Sequence, residues 1–595
     1  MPVSPNLEGG GVVKAVVFSD GQKVDDSIPF ISLETHKEIN KISFARIIIA
    51  DGNVADQNFP ISNSGDFSPG KEIKIELGYE GHSDTVFEGI VVKHSLSISE
   101  DSSFLIVDCR DKAIYMTAER KNVNYINKSD SDIITELIGN FSDLQADVAD
   151  SGGQYSELVQ YFCTDWDFML SRAEAAGMLV VVDDGIVTVS APNTDSSPEL
   201  KVVYGSDLIE FKAELDASRQ FSSFSSVSWD PAAQEVEQQE VETTSFNQQG
   251  DIDSASLAQA LSSPVARLQT SAPLEADFLK KWAESQRMKT GLARIRGRMT
   301  FQGNAKAKAG SLIEVEGVGN RFNGKVFVSS VRHDVRGGDW LTEVEFGISP
   351  EWFAERRDLT ALPAAGLLPA VEGLQVGVVM QLDGDPLGLH RIQVKVPVLQ
   401  NANEGIWARL ASCYASNSFG CFILPEVGDE VVLGYFNNDP SHPVIIGSLY
   451  NGKKAPPYSM EAPNNTKAFV SREKITLEID EENKVVTVKT PGENKIVISD
   501  QDKGILLQDQ NGNKMEMNSS GIAMSSQKDI KITAQGAIDF NATNSISLTS
   551  SMDIKAKGMN ISQTADIAFT AKASATAEVS ASAVTTIKGA LVKIN

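Results

Sequence analysis

Apolar and polar positions keep a fixed rhythm toward the end of this chain. Ile522, Ile530, Ile538, Ile546 and Ile554 recur at intervals of eight, and Met524, Ile532, Phe540, Leu548 and Ala556 follow two places on. Within each unit the order is apolar-x-apolar, the alternation of a half-buried β-strand. Upstream, Lys484-Val-Val-Thr-Val-Lys and Asn494-Lys-Ile-Val-Ile-Ser repeat the pattern with looser spacing. Past Ala556 the register drifts, yet Ile567, Phe569, Val579, Ile587 and Ile594 keep apolar beats. Between Gly521 and Asn595, 32 of 75 residues are Ala, Ser or Thr, a composition that alone reads as disorder. The constant period argues instead for stacked supersecondary units.

Eight residues are too few for one chain to close a coil, since a three-sided single-chain β-helix needs roughly 18 to 25 residues per turn. Three chains, each supplying one face, close the circuit. The pattern therefore predicts an intertwined homotrimeric β-prism, each chain passing to the next face after one repeat. Its core is predicted to be Ile522, Met524, Ile530, Ile532, Ile538, Phe540, Ile546, Leu548 and Ile554, with Lys, Asp, Ser and Thr facing water. Roughly sixteen repeats would make a needle of about 75 Å. Neighbouring chains would also pair the sheet edges that a lone chain leaves open. The rival, a single-chain polysaccharide-processing β-helix, calls for longer coils and a groove of acids, Arg and aromatics, and neither is visible.

Residues 371–458 read as a separate unit behind an Ala/Leu/Pro connector, Leu362–Ala370 within a linker spanning 355–370. Short apolar runs (Val376–Gln381, His390–Val396, Ile406–Leu410, Glu430–Tyr435, Val444–Ile446) alternate with turns at Asp383-Gly-Asp-Pro and Asn437-Asn-Asp-Pro. Five short strands suit a closed OB-fold barrel. Its few basic and aromatic residues are diluted by Glu404, Glu426, Asp429 and Glu430, so it reads as a packing collar, not a nucleic-acid or sugar site. Residues 1–354 are mostly β with helical insertions. One is Asp130–Phe141. A second runs from Asp165 to Ala176, capped by Thr164 and ended by Gly177. Asp165 and Asp167 read as first-turn carboxylates facing the helix dipole, not as a catalytic pair. Ala276–Met288 is amphipathic, Glu235–Asp251 reads as a solvated loop, and Arg321-Phe-Asn-Gly324 as a turn.

Composition narrows the function. With 595 residues the chain calls for about three to five domains. No run approaches the roughly 20 apolar residues of a membrane span, and the first residues lack a secretion-signal pattern, so export is expected to need a machine. A net charge of −27 argues against nucleic acid as the main partner. Cys109, Cys163, Cys413 and Cys421 are too scattered for a disulfide framework and are expected as buried thiols. The six histidines lack metal-ligand spacing; His333 and His390 stand alone. Phosphate-loop, dinucleotide and nucleophile-elbow motifs are missing. Asp500-Gln-Asp-Lys-Gly is a turn without the last acid of a calcium loop, and Arg294–Arg298 is too short a basic run. No catalytic residue, cofactor or metal is expected, and the chain reads as architectural.

These residues together resemble a known family. FSPGKEIKIELGY (67–79), VFEGIVVKH (86–94), VQYFCTDWDFMLSRAEAAGM (159–178) and NRFNGKVFVSSVRHDVRGGDWLTEVEFG (320–347) look like hub motifs. FILPEVGDEVVLGYFNNDPSHPVIIGSLYNGKKAPPY (422–458) is similar to the collar's most recognisable stretch, and the eight-residue repeat follows. The chain resembles VgrG proteins, the central spikes of type VI secretion systems, and the hub-spike proteins of phage tails and phage-tail-like contractile injection particles. The resemblance implies a mainly β, multidomain fold: β-barrel hub domains with α/β insertions (1–354), an OB-fold collar (371–458) and a trimeric β-helix needle (459–595). It implies a homotrimer that seats on a hexameric tail-tube protein, meets baseplate proteins, and carries a PAAR-type tip and effector cargo through a target membrane. Assembly would occur in the bacterial cytoplasm and delivery outside it. Departures from the family are also visible: the short path from Pro456 to the repeat leaves no space for a lysozyme domain, and with Leu591-Val-Lys-Ile-Asn595 read as the needle's apolar tip a carboxy-terminal toxin is not expected. No histidine follows His442, so an iron-binding tip is not expected. The expected role is non-enzymatic, with Leu591, Val592 and Ile594 docking the tip. A trimeric adhesin or tail fibre is the alternative, and a β-helix hydrolase a further one.

Overall fold

A computed structural model describes residues 2–594, apart from 8–10, 80, 263, 357–358, 360–361 and 400–404. Glu404, Asn595 and part of the 355–370 linker thus lie outside the described residues. The chain divides into two compact units, one ending at Leu449 and the other starting at Tyr450.

In the first unit, period-two patterning builds a thirteen-stranded sheet. In Glu72–Tyr79, Ile73, Ile75 and Leu77 are at most 1% exposed, while Lys74 and Glu76 alternate outward. The sheet joins distant stretches of sequence. Phe30–Glu38 pairs antiparallel with Gly324–Arg336, so strands from the first 110 residues and strands from 208–346 share one surface. Each half buries its own core, one around Ile47, Phe87 and Val107, the other around Met299, Phe301 and Val344.

Two helices lie between these halves in sequence, where capping places them. Ser129 caps Asp130–Gly139 through a reciprocal capping box with Asp132. Thr164 accepts a hydrogen bond from the Asp167 N–H to start Asp165–Ala175, and Gly177, at φ +72°, ends it. Both predicted helices are therefore present, the first two residues shorter. They pack Ile134, Leu137, Trp166 and Met169 into a third core. The Ala276–Met288 stretch belongs to a longer helix, Ala276–Ala293.

One expectation fails. Glu235–Asp251 is not a loop throughout, because Glu235–Glu242 is a strand paired along its length with Ser223–Asp230. It borders a three-stranded sheet, and Val241 packs inward with Phe224 and Ala283. Its Glu and Gln residues face water or sit half-buried, so their polarity reflects an edge position and not a lack of structure.

The collar closes as a five-stranded barrel of Gln375–Gln381, Ile392–Lys395, Ile406–Leu410, Glu430–Tyr435 and Pro443–Leu449. Val394, Ala408, Val431 and Leu433 fill it at 0% exposure. Asp385 organises the predicted Asp-Gly-Asp-Pro turn. It accepts backbone bonds from Leu387, Leu389 and Arg391 and pairs with the Arg391 guanidinium, which holds its carboxyl well below the usual carboxylate range.

The second unit opens with seven consecutive antiparallel strands, Thr466–Val470, Thr476–Asp480, Val485–Lys489, Lys495–Ser499, Gly504–Gln508, Lys514–Asn518 and Gly521–Ser525. Side-chain turns reverse the chain between them: Asp480 accepts from the Glu482 and Asn483 amides, and Asp509 from Asn511 and Asn513. The looser upstream repeats at 484–489 and 494–499 were expected to pass from face to face. They fold back on their sequence neighbours instead, because these turns are tight enough to pair each strand within the chain.

Candidate assembly surface

The register of the second unit sorts its side chains into two apolar columns. One runs Phe469, Leu477, Val488, Ile496, Leu507, Met515, Met524, each opposite the next. The other runs Ile479, Val486, Ile498, Ile505, Met517, Ile522. Both columns stand on one face, since strand side chains alternate and the residue between each pair (Glu478, Thr487, Val497, Leu506, Glu516, Ala523) points the other way. The chain does not cover this face: Ile496 and Ile498 are 46% and 49% exposed. Covering what remains exposed of each Ile or Leu contributes roughly 1 kcal/mol.

Ile522 and Met524 are the last rung of these columns and the first beat of the eight-residue period. The rhythm then continues, but the pairing stops. Among the described residues, no strand and no backbone–backbone hydrogen bond lies beyond Ser525. Ile530, Ile532, Ile538, Phe540, Ile546, Leu548 and Ile554 are all exposed, Phe540 to 68%. Within one chain, then, the predicted needle core is not brought together. Leu591, Val592 and Ile594 are likewise exposed. An isolated chain leaves the amides and carbonyls of this segment to water and its Ile and Leu side chains unburied, a combination that closely packed β-structure removes.

The carboxylates of the first unit are held in structural pairs. Asp165, nearly fully buried, accepts from Lys121 Nζ at 2.6 Å and from Gln160 Nε2 at 3.0 Å, while Asp167 serves the Thr164 cap. Sequence reading missed three such pairs. Asp130 takes Arg172 Nε at 2.7 Å, and the same guanidinium reaches Tyr155 Oη at 2.7 Å, a phenol whose pKa burial pushes up. Glu174 pairs with Lys289 and accepts from the Phe353 amide at 2.6 Å, joining two helices to the segment after the sheet. Lys37 pairs with Asp183 and Asp184. The only signal available was Asp130 as first residue of a capped helix. The short basic run also dissolves into pairs, Arg296 with Glu214 and Arg298 with Glu210, while Arg294 is buried against backbone carbonyls. No cluster of three or more metal-ligating side chains occurs among the described residues.

His333 is fully buried, 2.9 Å from Thr342 Oγ1 and accepting from Trp340 Nε1 at 3.3 Å; burial lowers its pKa to about 3. His390 is an exposed loop residue. The four cysteines are free, but not uniformly buried as expected. Cys109 is fully buried in the first sheet half, whereas Cys413 is exposed and Cys421 half-buried, because the hairpin that carries them projects from the barrel wall without a layer over it.

Comparison with known families follows the same division of the chain. Residues 9–337 match the Alg8 N-terminal domain, residues 375–450 the type VI secretion system/phage-baseplate injector OB domain, and residues 484–552 the phage baseplate V C-terminal trimerisation domain. The type VI secretion system spike protein VgrG1b of Pseudomonas aeruginosa is 30% identical over 112 residues, 18% of this chain and 15% of that protein. VgrG5 of the same organism is 34% identical over 104 residues, 16% of this chain and 13% of the relative. The matched region thus spans only a small part of these relatives' own length. Among solved structures, a prophage MuSo2 43 kDa tail protein from Shewanella oneidensis aligns at TM-score 0.44 and 12% identity, covering 57% of this chain and 98% of that one. An E. coli component of the type VI secretion system aligns at TM-score 0.38 and 12% identity, covering 73% and 99%. With the Alg8 N-terminal domain over more than half its length, and the injector OB and trimerisation domains behind it in order, the chain belongs to the VgrG and phage-tail hub-spike family.

Proposed function

We propose that this chain is the central hub and spike of a contractile injection system and works as a homotrimer without catalysing a reaction. The observation that carries the reading is the pair of apolar columns that continue, beat for beat, into residues 530–556 after in-chain pairing has ended. Three copies would turn these columns toward one axis and let strands of neighbouring chains pair beyond Ser525. The match of residues 484–552 to a trimerisation domain supports three as the number.

In this reading residues 1–354 form the hub that seats on a hexameric tail tube and meets baseplate proteins. Residues 355–370 link it to the collar at 371–458, and residues 459–595 form the needle. Leu591, Val592 and Ile594 of three chains would offer an apolar platform to a PAAR-type tip protein, and effector cargo would travel with the tip. Sheath contraction would drive the needle through a target envelope. A prism of interlocked strands suits that load, since shearing it breaks many hydrogen bonds together. The protein would be assembled in the cytoplasm and leave with the particle; no helix among the described residues is long and apolar enough to cross a membrane.

The test is removal of residues 529–595 from the chain in the producing cell. Loss of target-cell delivery with normal accumulation of folded hub is expected; undiminished delivery would refute the spike role. A shorter truncation after Gly589 tests the platform: tip binding should be lost while the trimer persists, and unchanged tip binding would dismiss Leu591, Val592 and Ile594 as its seat.

A further inference from the structure

The collar carries a small hairpin, Ala415–Ser416 with Phe419–Gly420, that stands apart from the barrel sheet. Two-residue reversal at Asn417-Ser418 places Ser418 at φ +67°, and the Cys421 amide donates to the Tyr414 carbonyl at 2.8 Å. The backbone bends at Cys413 and Tyr414. Ser412 Oγ fixes that bend by donating between the Tyr414 carbonyl, 3.2 Å away, and the Cys421 carbonyl, 3.1 Å away. A regular strand would send Cys413 to the face opposite Cys421. The bend breaks that alternation, and the Ser412 bond to the Cys421 carbonyl holds the two cysteines on adjoining backbone at the hairpin mouth, where their side chains interact. Cys413 is exposed and Cys421 partly so, in contrast to Cys109, fully buried in the hub sheet, and to Cys163 on another element. Tyr414 and Phe419 lie 5.8 Å apart between ring centroids on this same projection, and Phe422, next along, is 86% exposed.

We infer that Cys413 and Cys421 are a two-electron redox site: a dithiol in reducing surroundings that closes to an intramolecular disulfide when it meets a small-molecule disulfide oxidant. The hairpin brings the two thiols together before any bond forms, and neither is shielded by a core. The Cys413 thiolate attacks one sulfur of the oxidant, forming a mixed disulfide and expelling one thiolate. The Cys421 thiolate then attacks the Cys413 sulfur and expels the second. Two protein thiols and one disulfide yield one protein disulfide and two small thiols; two electrons pass to the oxidant, and the two protons end on the released thiols. Cys413 is the more exposed of the two and is therefore the first attacker. The closed ring would staple the base of the projection that displays Tyr414, Phe419 and Phe422. The chemistry stands on the hairpin alone. Its use, a collar that is open in the cytosol and stapled outside the cell, rests on the injection reading.

The reduced full-length protein, incubated with glutathione disulfide near neutral pH, then denatured and alkylated, gives the test. Free thiols should fall from the four of the sequence to two. No Lys or Arg lies between Arg409 and Lys453, so trypsin releases both cysteines on one peptide, which should carry no alkyl group and weigh about 2 Da less than the unalkylated dithiol peptide, for the two hydrogens removed. Cys413→Ser and Cys421→Ser should each abolish that loss and leave the remaining thiol as a glutathione adduct. Four thiols persisting in the oxidising buffer would overturn the inference, as would chains cross-linked to one another through these cysteines on a non-reducing gel. Particles collected outside the cell test the use separately: a reduced peptide there, with a pair that closes in vitro, would count against the injection reading and not against the site.

Discussion

The hub and the terminal repeat use the same residues to opposite ends. In the hub, Ile47, Ile75, Val107 and Val344 are 0% exposed, each covered by strands of its own chain. In the repeat, Ile530, Ile546 and Leu548 are 53%, 55% and 76% exposed, although their spacing is far more regular. Regularity and self-sufficiency therefore part company. A sheet whose order jumps from Phe30–Glu38 to Gly324–Arg336 can enclose its own core, whereas a strict eight-residue unit presents one narrow face at a time. The strands Thr466–Ser525 stand between the two cases: their backbones are paired in the chain, but their apolar columns are not covered. Backbone satisfaction and core burial are thus separate steps along this molecule, and in the proposed trimer the second depends on other copies before the first does.

Breaking the repeat should have the largest effect. Ile538→Asp would place a carboxylate at a shared apolar axis, and burying an unpaired charge costs several kcal/mol per chain. The expected result is dissociation to single chains and loss of amide-exchange protection across residues 529–556, with hub melting unchanged. The complementary lesion is Asp130→Ala, which strands the buried Arg172 guanidinium. It should lower hub stability by about 3–5 kcal/mol, seen as an earlier thermal transition, while chain association stays intact. If either substitution moved both readouts, the two regions would not be independent.

Acid should separate them more finely. His333 titrates near 3 in the native hub against an ordinary 6.5. Between those values an unfolded chain binds a proton that the native hub does not, so hub stability falls as pH drops below 6.5. Above 6.5 this histidine contributes nothing. His333→Gln should flatten that dependence by up to about 1.4 kcal/mol per pH unit, measured from melting at pH 7 and 4.5, with no counterpart in the terminal repeat, where no histidine occurs. The smallest expected effect is Thr164→Ala. Loss of the cap bond to Asp167 should cost about 1 kcal/mol in the hub alone.

How much was legible in the sequence depended on the range of the cause. Caps at Thr164 and Gly177, the collar's alternating runs and the beat of eight are local signals, and the described helices and barrel strands lie where they put them. Long-range pairing was not legible: no spacing reveals that Val331 faces Lys37 across the sheet, or that Glu174 meets Lys289. Glu235–Glu242 was misread as loop because an edge strand needs little apolar content once its partner supplies the core. The thiols at Cys413 and Cys421 were expected to be buried, and composition could not show that a bend at Ser412–Tyr414 lifts them out together.

The central claim is that residues from Phe469 onward complete their core with two further copies of the same chain. Multi-angle light scattering on the purified full-length protein tests it most directly. A single species of three times the chain mass of 64.2 kDa, unchanged on tenfold dilution, is the expected result. A monodisperse species at the mass of one chain would contradict it, since the apolar columns and the unpaired repeat would then have to close within one molecule.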